Sequence, residues 1–247
     1  MGGKTTSLEK IVARYDDFVR KHQSKVRSFF SDEFWPKIVA QAEHLIALAE
    51  AKPPATILDL ACGAGSASIA LAQLGFSVVG VDCTPAMLDV AREMAAAKGV
   101  KAQWILGDMR EIAYEDEFDY VFLRDVIFGV FDTEQEDHDL VRRIAAALRT
   151  GGRCLFEVYN KEFALAHGVE NAFFYDADLG RFAARAGGPA WAAGASVRLY
   201  SPHEWERMLA SNHLEIVKRD GWHWNGDPEP PPWRADFIVA QKMSMPP

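Results

Sequence analysis

Cysteine is scarce and odd in number. Cys62, Cys83 and Cys154 are the only three in 247 residues, and no CxxC or Cys/His ligand spacing joins them, so neither a disulfide framework nor a zinc site is expected. Reduced thiols suit a cytoplasmic setting. Long apolar runs are also missing. No segment reaches about 18 uninterrupted apolar residues, the length a spanning helix needs, and MGGKTTSLEK has no apolar stretch of the kind that opens a secretory signal. The expectation is a soluble protein with no membrane partner. Positive charge is in deficit, with 27 Lys+Arg against 35 Asp+Glu and a net charge of −8. Such a molecule repels phosphate backbones as a whole, which argues against a nucleic-acid partner. Repeats and low-complexity linkers are absent, so one domain with decorations is expected.

What the sequence does contain is alternation. Pro53 and Pro54 close an N-terminal region in which two helices are predicted, Leu8 to Phe30 and about Ser31 to Ala49. Five apolar, strand-like runs follow, ATILDLA, GFSVVGVD, AQWILGD, DYVFLRD and GRCLFEVY, with helical stretches beginning near Gly65, Thr84 and Thr133. Strands alternating with helices imply a parallel sheet covered on both faces. Thr84 followed by Pro85, and Thr133 with Glu136, carry helix-start chemistry. After Asn160 the rhythm is lost in a stretch rich in Ala, Gly and aromatics. SPHEWERMLASN then predicts a helix, and HLEIVKRDGW and ADFIVAQK two final strands. The expected organisation is a helical cap over 1–52, a ligand-binding core over 53–160, an insertion over 161–199 and a closing helix with strands over 200–247.

The first turn of the core, ILDLACGAGSASIA, raises the question of which nucleotide it holds. In an open α/β sheet ligands bind at the carboxyl ends of the strands where strand order reverses. Gly63 and Gly65 suit a tight turn approached closely by a ligand. A dinucleotide fingerprint needs a third small residue for helix–strand packing, and that position is Ser68. Asp59, at the end of the first strand, would repel a pyrophosphate and attract an ammonium. Asp82 ends the second strand, where an acid accepts ribose hydroxyls, and Asp108 ends the third, placed for an adenine amino group. An ammonium, a ribose diol and an adenine without phosphate describe S-adenosylmethionine. A nicotinamide-dependent oxidoreductase is the competing enzyme reading, opposed by Asp59 and the absent third glycine. A non-catalytic module that binds the same cofactor is the reading from another class.

Residues 57 to 88, followed by GDMR and by FDYVFLRD and LRTGGRCLFEV, resemble a class I S-adenosylmethionine-dependent methyltransferase. The resemblance implies a Rossmann-like, doubly wound, seven-stranded, mostly parallel sheet with its last strand antiparallel, N-terminal helices, and a lid inserted after the fifth strand. The family pattern [DE]xGxGxG reads here Asp59, Ala61, Gly63 and Gly65, with Ala61 replacing the first glycine. By resemblance the backbone from Ala61 through Cys62 to Gly65 packs on the methionine moiety, Asp82 holds the ribose, and Met87 or Met109 flanks the adenine. Cys62 and Cys83 are then small apolar packing beside the cofactor. Tyr15, on a helix facing the cofactor, and Arg124 complete the expected cofactor set. VRLYSPHEWERML and PPWRADFIVAQK resemble, more loosely, a branch that methylates small molecules, which makes the insertion a substrate cover.

Methyl transfer from a sulfonium needs proximity, alignment and exclusion of water, with a general base only where the nucleophile is protonated. No catalytic residue is therefore nominated. Expected acceptor contacts are His22, seven residues after Tyr15 on the same helix face, Phe128 after the fourth strand, Tyr159 and Asn160 after the fifth, Tyr200, and the aromatics Trp222 and Trp224. A dense aromatic load suits a pocket for a planar or apolar small molecule. RDVI stands after the fourth strand where base-methylating relatives carry a DPPY-type motif, which argues against nucleic-acid amino groups. The acceptor is expected to be a small metabolite methylated on oxygen or nitrogen, by a monomer or homodimer.

Overall fold

The computed structural model describes residues 7–125, 127–167, 173–176, 180–184, 196–222 and 235–244. Its N-terminal helices are α1 (Ser7–Lys21), α2 (Gln23–Arg27) and α3 (Trp35–Ala49). The first helix is thus shorter than its periodicity predicts. At His22 the backbone leaves helical geometry (φ −123, ψ 32); the Phe18 carbonyl accepts the His22 N–H at 3.0 Å, and the ring Nδ1 lies 2.8 Å from the same oxygen.

The core alternates as expected: β1 (Thr56–Leu60), α4 (Ser66–Gln73), β2 (Ser77–Asp82), α5 (Pro85–Ala97), β3 (Gln103–Leu106), β4 (Phe118–Leu123), α6 (Glu134–Ala147) and β5 (Leu148–Tyr159). The aperiodic region contains α7 (Lys161–His167), β6 (Phe173–Asp176), β7 (Arg181–Ala184) and β8 (Ser196–Val197). The chain then enters α8 (Pro202–Ala210), β9 (Leu214–Trp222) and β10 (Ala235–Lys242). Seven strands form one sheet in the order β3-β2-β1-β4-β5-β10-β9, and β6-β7-β8 form a separate antiparallel sheet. β10 runs antiparallel to both β5 and β9, so it alone opposes the other six. Strand order reverses between β1 and β4, which puts a crevice at their carboxyl ends.

Strand alternation divides the core into two layers. Leu58 and Leu60 of β1 with Val121, Leu123 and Phe156 face α6 and α8. Ile57, Phe122, Leu155, Phe237 and Val239 face α3 and α4. A third apolar group, with Val19, Val26 and Phe30 against Ile69, Ala86 and Val90, seats α1 and α2 on α4 and α5. The small sheet is tied down by Arg181. Its Nη1 donates to the Phe131 carbonyl at 2.6 Å and its Nη2 to the Gly129 carbonyl at 2.8 Å, bonding β7 to the connection between β4 and α6. Capping boxes start α6 at Thr133 with Glu136 and α8 at Ser201 with Glu204. Thr84 departs from expectation. It sits at the N-cap of α5 with extended backbone and Pro85 next, yet its side chain makes no capping bond.

Candidate functional site

The turn after β1 is built from left-handed backbone. Ala61, Gly63 and Gly65 have φ of 53, 56 and 73. Ala61 thus occupies a conformation that costs a residue with a Cβ roughly 1–2 kcal/mol. A Cβ on Gly63 would meet nothing within 4 Å, so the backbone there borders open space. A Cβ on Gly65 would meet the Trp104 ring at 2.3 Å, and one on Gly80 of β2 would meet Cys62 Sγ and the same ring, both at 2.8 Å. The two glycines therefore exist to let Trp104 and Cys62 pack under the turn. Burial pushes the Cys62 thiol far up and Cys83 up to about 11, so neither is a thiolate nucleophile at neutral pH.

Asp82 ties the turn to β2. Its Oδ2 accepts from the Gly63 N–H and its Oδ1 from the Thr84 N–H, each at 2.8 Å. Burial raises its pKa, and the N–H bonds from Thr84 and Gly63 pull it back. Asp59 is buried and accepts from Ser68 Oγ at 2.5 Å. The residue at the third fingerprint position is thus a hydrogen-bond donor to the first acid, a role that spacing alone did not suggest. Burial drives the Asp59 pKa up, and the Arg124 charge opposes this most strongly.

Asp108 begins a tight 3-10 turn over Met109–Glu111, where its Oδ1 accepts from the Arg110 N–H at 2.8 Å. The Arg110 guanidinium returns to Asp108 Oδ2 through Nε and Nη2, at 3.0 and 2.7 Å, and reaches Glu136 through Nη1 at 2.6 Å. Arg110 was not anticipated from sequence; it holds Asp108 rigidly at the strand end. Met87 is buried at the α1–α5 contact, and Met109 is half-buried against the α6 layer.

Helix α1 covers these groups. Tyr15 is half-buried, and burial followed by the charges of Asp82 and Asp125 raises its hydroxyl pKa, so the ring stands where both acids act on it. Asp16 Oδ1 accepts from the Ala86 N–H at 2.8 Å, supplying from another helix the cap that Thr84 does not. A cleft of about 340 Å³ lies between α1, represented by Val12 and Asp16, the turn residues Cys83 and Pro85, and the Asp108–Arg110 pair. Asp16→Ala is expected to cost about 0.5–2 kcal/mol, the usual worth of a cap. It should accelerate amide hydrogen exchange through α1 while leaving β1 and β4 unchanged. Unaltered α1 exchange would mean that apolar contacts around Val19 suffice to dock the helix.

At the end of β4, Arg124 is buried. Its Nη2 lies 3.5 Å from Asp125 Oδ2, while Nε and Nη1 are buried without a hydrogen-bond partner. Glu157 of β5 was also unanticipated. Its Oε2 accepts from the Asp125 N–H at 2.9 Å, and an acid inside the apolar run CLFEVY was the available signal.

Of the expected acceptor contacts, Phe128 and Tyr200 are brought together, their ring centroids 5.6 Å apart. Phe128 packs in the core, its ring 4.6 Å from Trp205 and 5.8 Å from Phe156. Tyr200 is buried beside it and donates to Asp137 Oδ2 at 2.7 Å. Asn160 is committed to structure, accepting from the Phe163 N–H to cap α7 and donating to Asp236 Oδ2 at 2.7 Å. His22 is exposed and stacked on Phe18. Tyr159 is half-buried at the end of β5. Trp222 closes β9 but its side chain, like all of Trp224, lies outside the described residues. Sequence placed Phe128 and Tyr200 near strand ends without revealing which face of the sheet would receive them, and that face is the one filled by α6 and α8.

Residues 57–152 match a methyltransferase-domain family. Over 127 residues the chain is 34% identical to the cypemycin N-terminal methyltransferase of a Streptomyces species, covering 51% of this chain and 50% of that protein. Over 170 residues it is 29% identical to the ubiquinone biosynthesis O-methyltransferase of Rhizobium etli, covering 68% of this chain and 63% of that protein. The matched part is thus about half to under two thirds of these relatives' own length. Among solved structures, the 1,6-didemethyltoxoflavin-N1-methyltransferase of Burkholderia thailandensis, with bound 1,6-didemethyltoxoflavin and S-adenosylhomocysteine, is similar with a TM-score of 0.62 and 17% identity. That likeness covers 99% of this chain and 93% of that one, and at such identity it is one of fold.

Proposed function

We propose that residues 57–152, which match a methyltransferase-domain family, form the cofactor-binding part of a class I fold, and that the protein transfers a methyl group from S-adenosylmethionine to an oxygen or nitrogen of a small-molecule metabolite. The observation that carries this reading is the strand-end acid Asp82 holding the open backbone at Gly63, with Asp108 on the wall of the cleft that α1 covers. The residues present fit the cofactor. Asp82 is held by two backbone N–H groups with lone pairs remaining for a diol, and Asp108 stands at the cleft wall for the adenine. Arg124 has two unused donors for a carboxylate. A pyrophosphate would instead face Asp59 and Asp82 on either side of the turn. When bound, S-adenosylmethionine supplies an electrophilic methyl on a positively charged sulfur. The chain's contribution is to fix the cofactor at the turn, and to shield it with α1 and Tyr15 so that water is kept from the transfer.

The small-molecule acceptor is supported by a relative named for ubiquinone biosynthesis. We take residues 161–199 as the acceptor's cover, a role consistent with the Arg181 clasp that holds β7 against the segment following β4. The test is thermal denaturation with ligand. At 100 times its Kd, S-adenosylhomocysteine stabilises by about 2.7 kcal/mol, which for a chain of this size raises Tm by roughly 5–10 °C. NAD is expected to leave Tm unchanged. A response to NAD with none to S-adenosylhomocysteine would overturn the assignment.

A further inference from the structure

The stretch GDMRE places an arginine two residues after the acid that follows β3. On the tight turn over Met109–Glu111 that spacing folds the arginine back onto the acid. Asp108 Oδ1 accepts the Arg110 N–H at 2.8 Å, and Oδ2 accepts from Nε and Nη2 at 3.0 and 2.7 Å. The guanidinium is held in turn. Its Nη1 donates to Glu136 Oε1 at 2.6 Å, while Glu136 Oε2 is committed to Thr133 in the capping box that starts α6. Its central carbon stands 5.2 Å from the centre of the buried Phe131 ring. Arg110 therefore bridges the end of β3 to α6 and is fixed by Asp108, Glu136 and Phe131 together.

Asp108 and Arg110 both line the cleft beneath α1, with side chains 24 and 27% exposed. Val12 and Ala13 of α1 and Pro85 give that cleft apolar wall. An ionised carboxyl has about four acceptor positions and no donor. Arg110 fills three of them, and among the described residues no group takes the remaining position on Oδ1.

We propose that Arg110 is a positioning residue for base selectivity: by pinning Asp108 it leaves one acceptor at a fixed point, which suits the 6-amino group of adenine and rejects a 6-oxo purine. This rests on the cleft being the S-adenosylmethionine site. In a 6-oxo base an oxygen replaces the amine, and the hydrogen-bond donor moves to the neighbouring ring nitrogen. A carboxylate free to turn about its own torsions can follow that donor. One tied through a guanidinium to a second element cannot follow without breaking those bonds. The oxo group then meets a carboxylate oxygen with no proton between them, and selectivity comes from that unfavourable contact as much as from the favourable one with adenine. A fixed acceptor discriminates where a mobile one adapts.

The experiment measures Kd for S-adenosylhomocysteine and S-inosylhomocysteine by calorimetry on the full chain, on Arg110→Met and on Arg110→Lys. The parent is expected to bind the adenosyl ligand roughly 10- to 100-fold more tightly, the cost of one mismatched polar pair. Arg110→Met should narrow that preference by roughly three- to tenfold, the size of coupling found within one hydrogen-bond network. Lysine keeps the charge and loses the planar fork, so Arg110→Lys should fall between the two, and it carries the comparison if the methionine variant does not fold. The decisive reading is the ratio of the two Kd values, because loosening of the turn alone weakens both ligands alike. An unchanged ratio in the variants would overturn the proposal, and so would a larger one, which would mean that Arg110 itself donates to the base. Binding of S-adenosylhomocysteine with no preference in the parent would overturn it while leaving the cofactor assignment standing. Failure of the parent to bind either ligand would overturn both.

Discussion

Replacing Asp82 with alanine is expected to weaken S-adenosylhomocysteine binding by roughly 2–4 kcal/mol, that is by about 30- to 1000-fold. The carboxylate does two things at once. It accepts from the Gly63 and Thr84 N–H groups, so it holds the turn after β1 and the start of α5 in register, and lone pairs remain on it to accept from a diol. Alanine leaves two backbone donors without an acceptor and the diol unpaired. Asp82→Asn separates these contributions, because its single carbonyl oxygen can keep one of the two N–H bonds. Calorimetry on the two variants should find the asparagine protein intermediate in affinity and close to the parent in Tm. Equal affinity in the alanine variant and the parent would mean that the ribose lies elsewhere.

The second large effect is expected at Gly65. With φ of 73, any Cβ there is strained, and the atom would stand 2.3 and 2.7 Å from carbons of the Trp104 ring and 3.1 Å from the Ala91 Cβ. Either the half-buried indole of Trp104, on the edge strand β3, must give way or Gly65→Ala must shift the turn itself. We expect a loss of about 2–4 kcal/mol in stability, from left-handed strain and overpacking together, with loss of the thermal response to S-adenosylhomocysteine. Adding Trp104→Leu should restore part of the stability by removing the clash, leaving the backbone strain. Full retention of Tm and ligand response in the single variant would show that the turn tolerates displacement and that its close packing is incidental.

These expectations rest on different kinds of legibility. The strand-end positions of Asp59, Asp82 and Asp108 were readable because apolar runs bounded by turn residues mark strand ends directly. The capping boxes at Thr133 and Ser201 were readable for a similar reason, since donor and acceptor lie three residues apart. Partners distant along the chain were not. Asp16 caps a helix 70 residues away, Arg181 clasps carbonyls about 50 residues earlier, and Glu157 takes an N–H from a position 32 residues before it. Nothing in local pattern encodes such pairings.

The amino-acid sequence by itself determined the alternation of strands and helices, the tight glycine turn, and the placing of acids at three successive strand ends. All of these follow from short-range periodicity and backbone sterics. Tertiary structure decided which face each side chain entered. Phe128 and Tyr200, both near strand ends and both chemically suited to a pocket, went into the layer under α6 and α8 because apolar burial there outweighs exposure in a cleft. Arg124, expected from sequence as a cofactor contact, and Glu157 are buried at the ends of β4 and β5 because those strands are neighbours in the sheet. A charge's effect depends on its dielectric surroundings and on the charges next to it, and both exist only once the chain is folded.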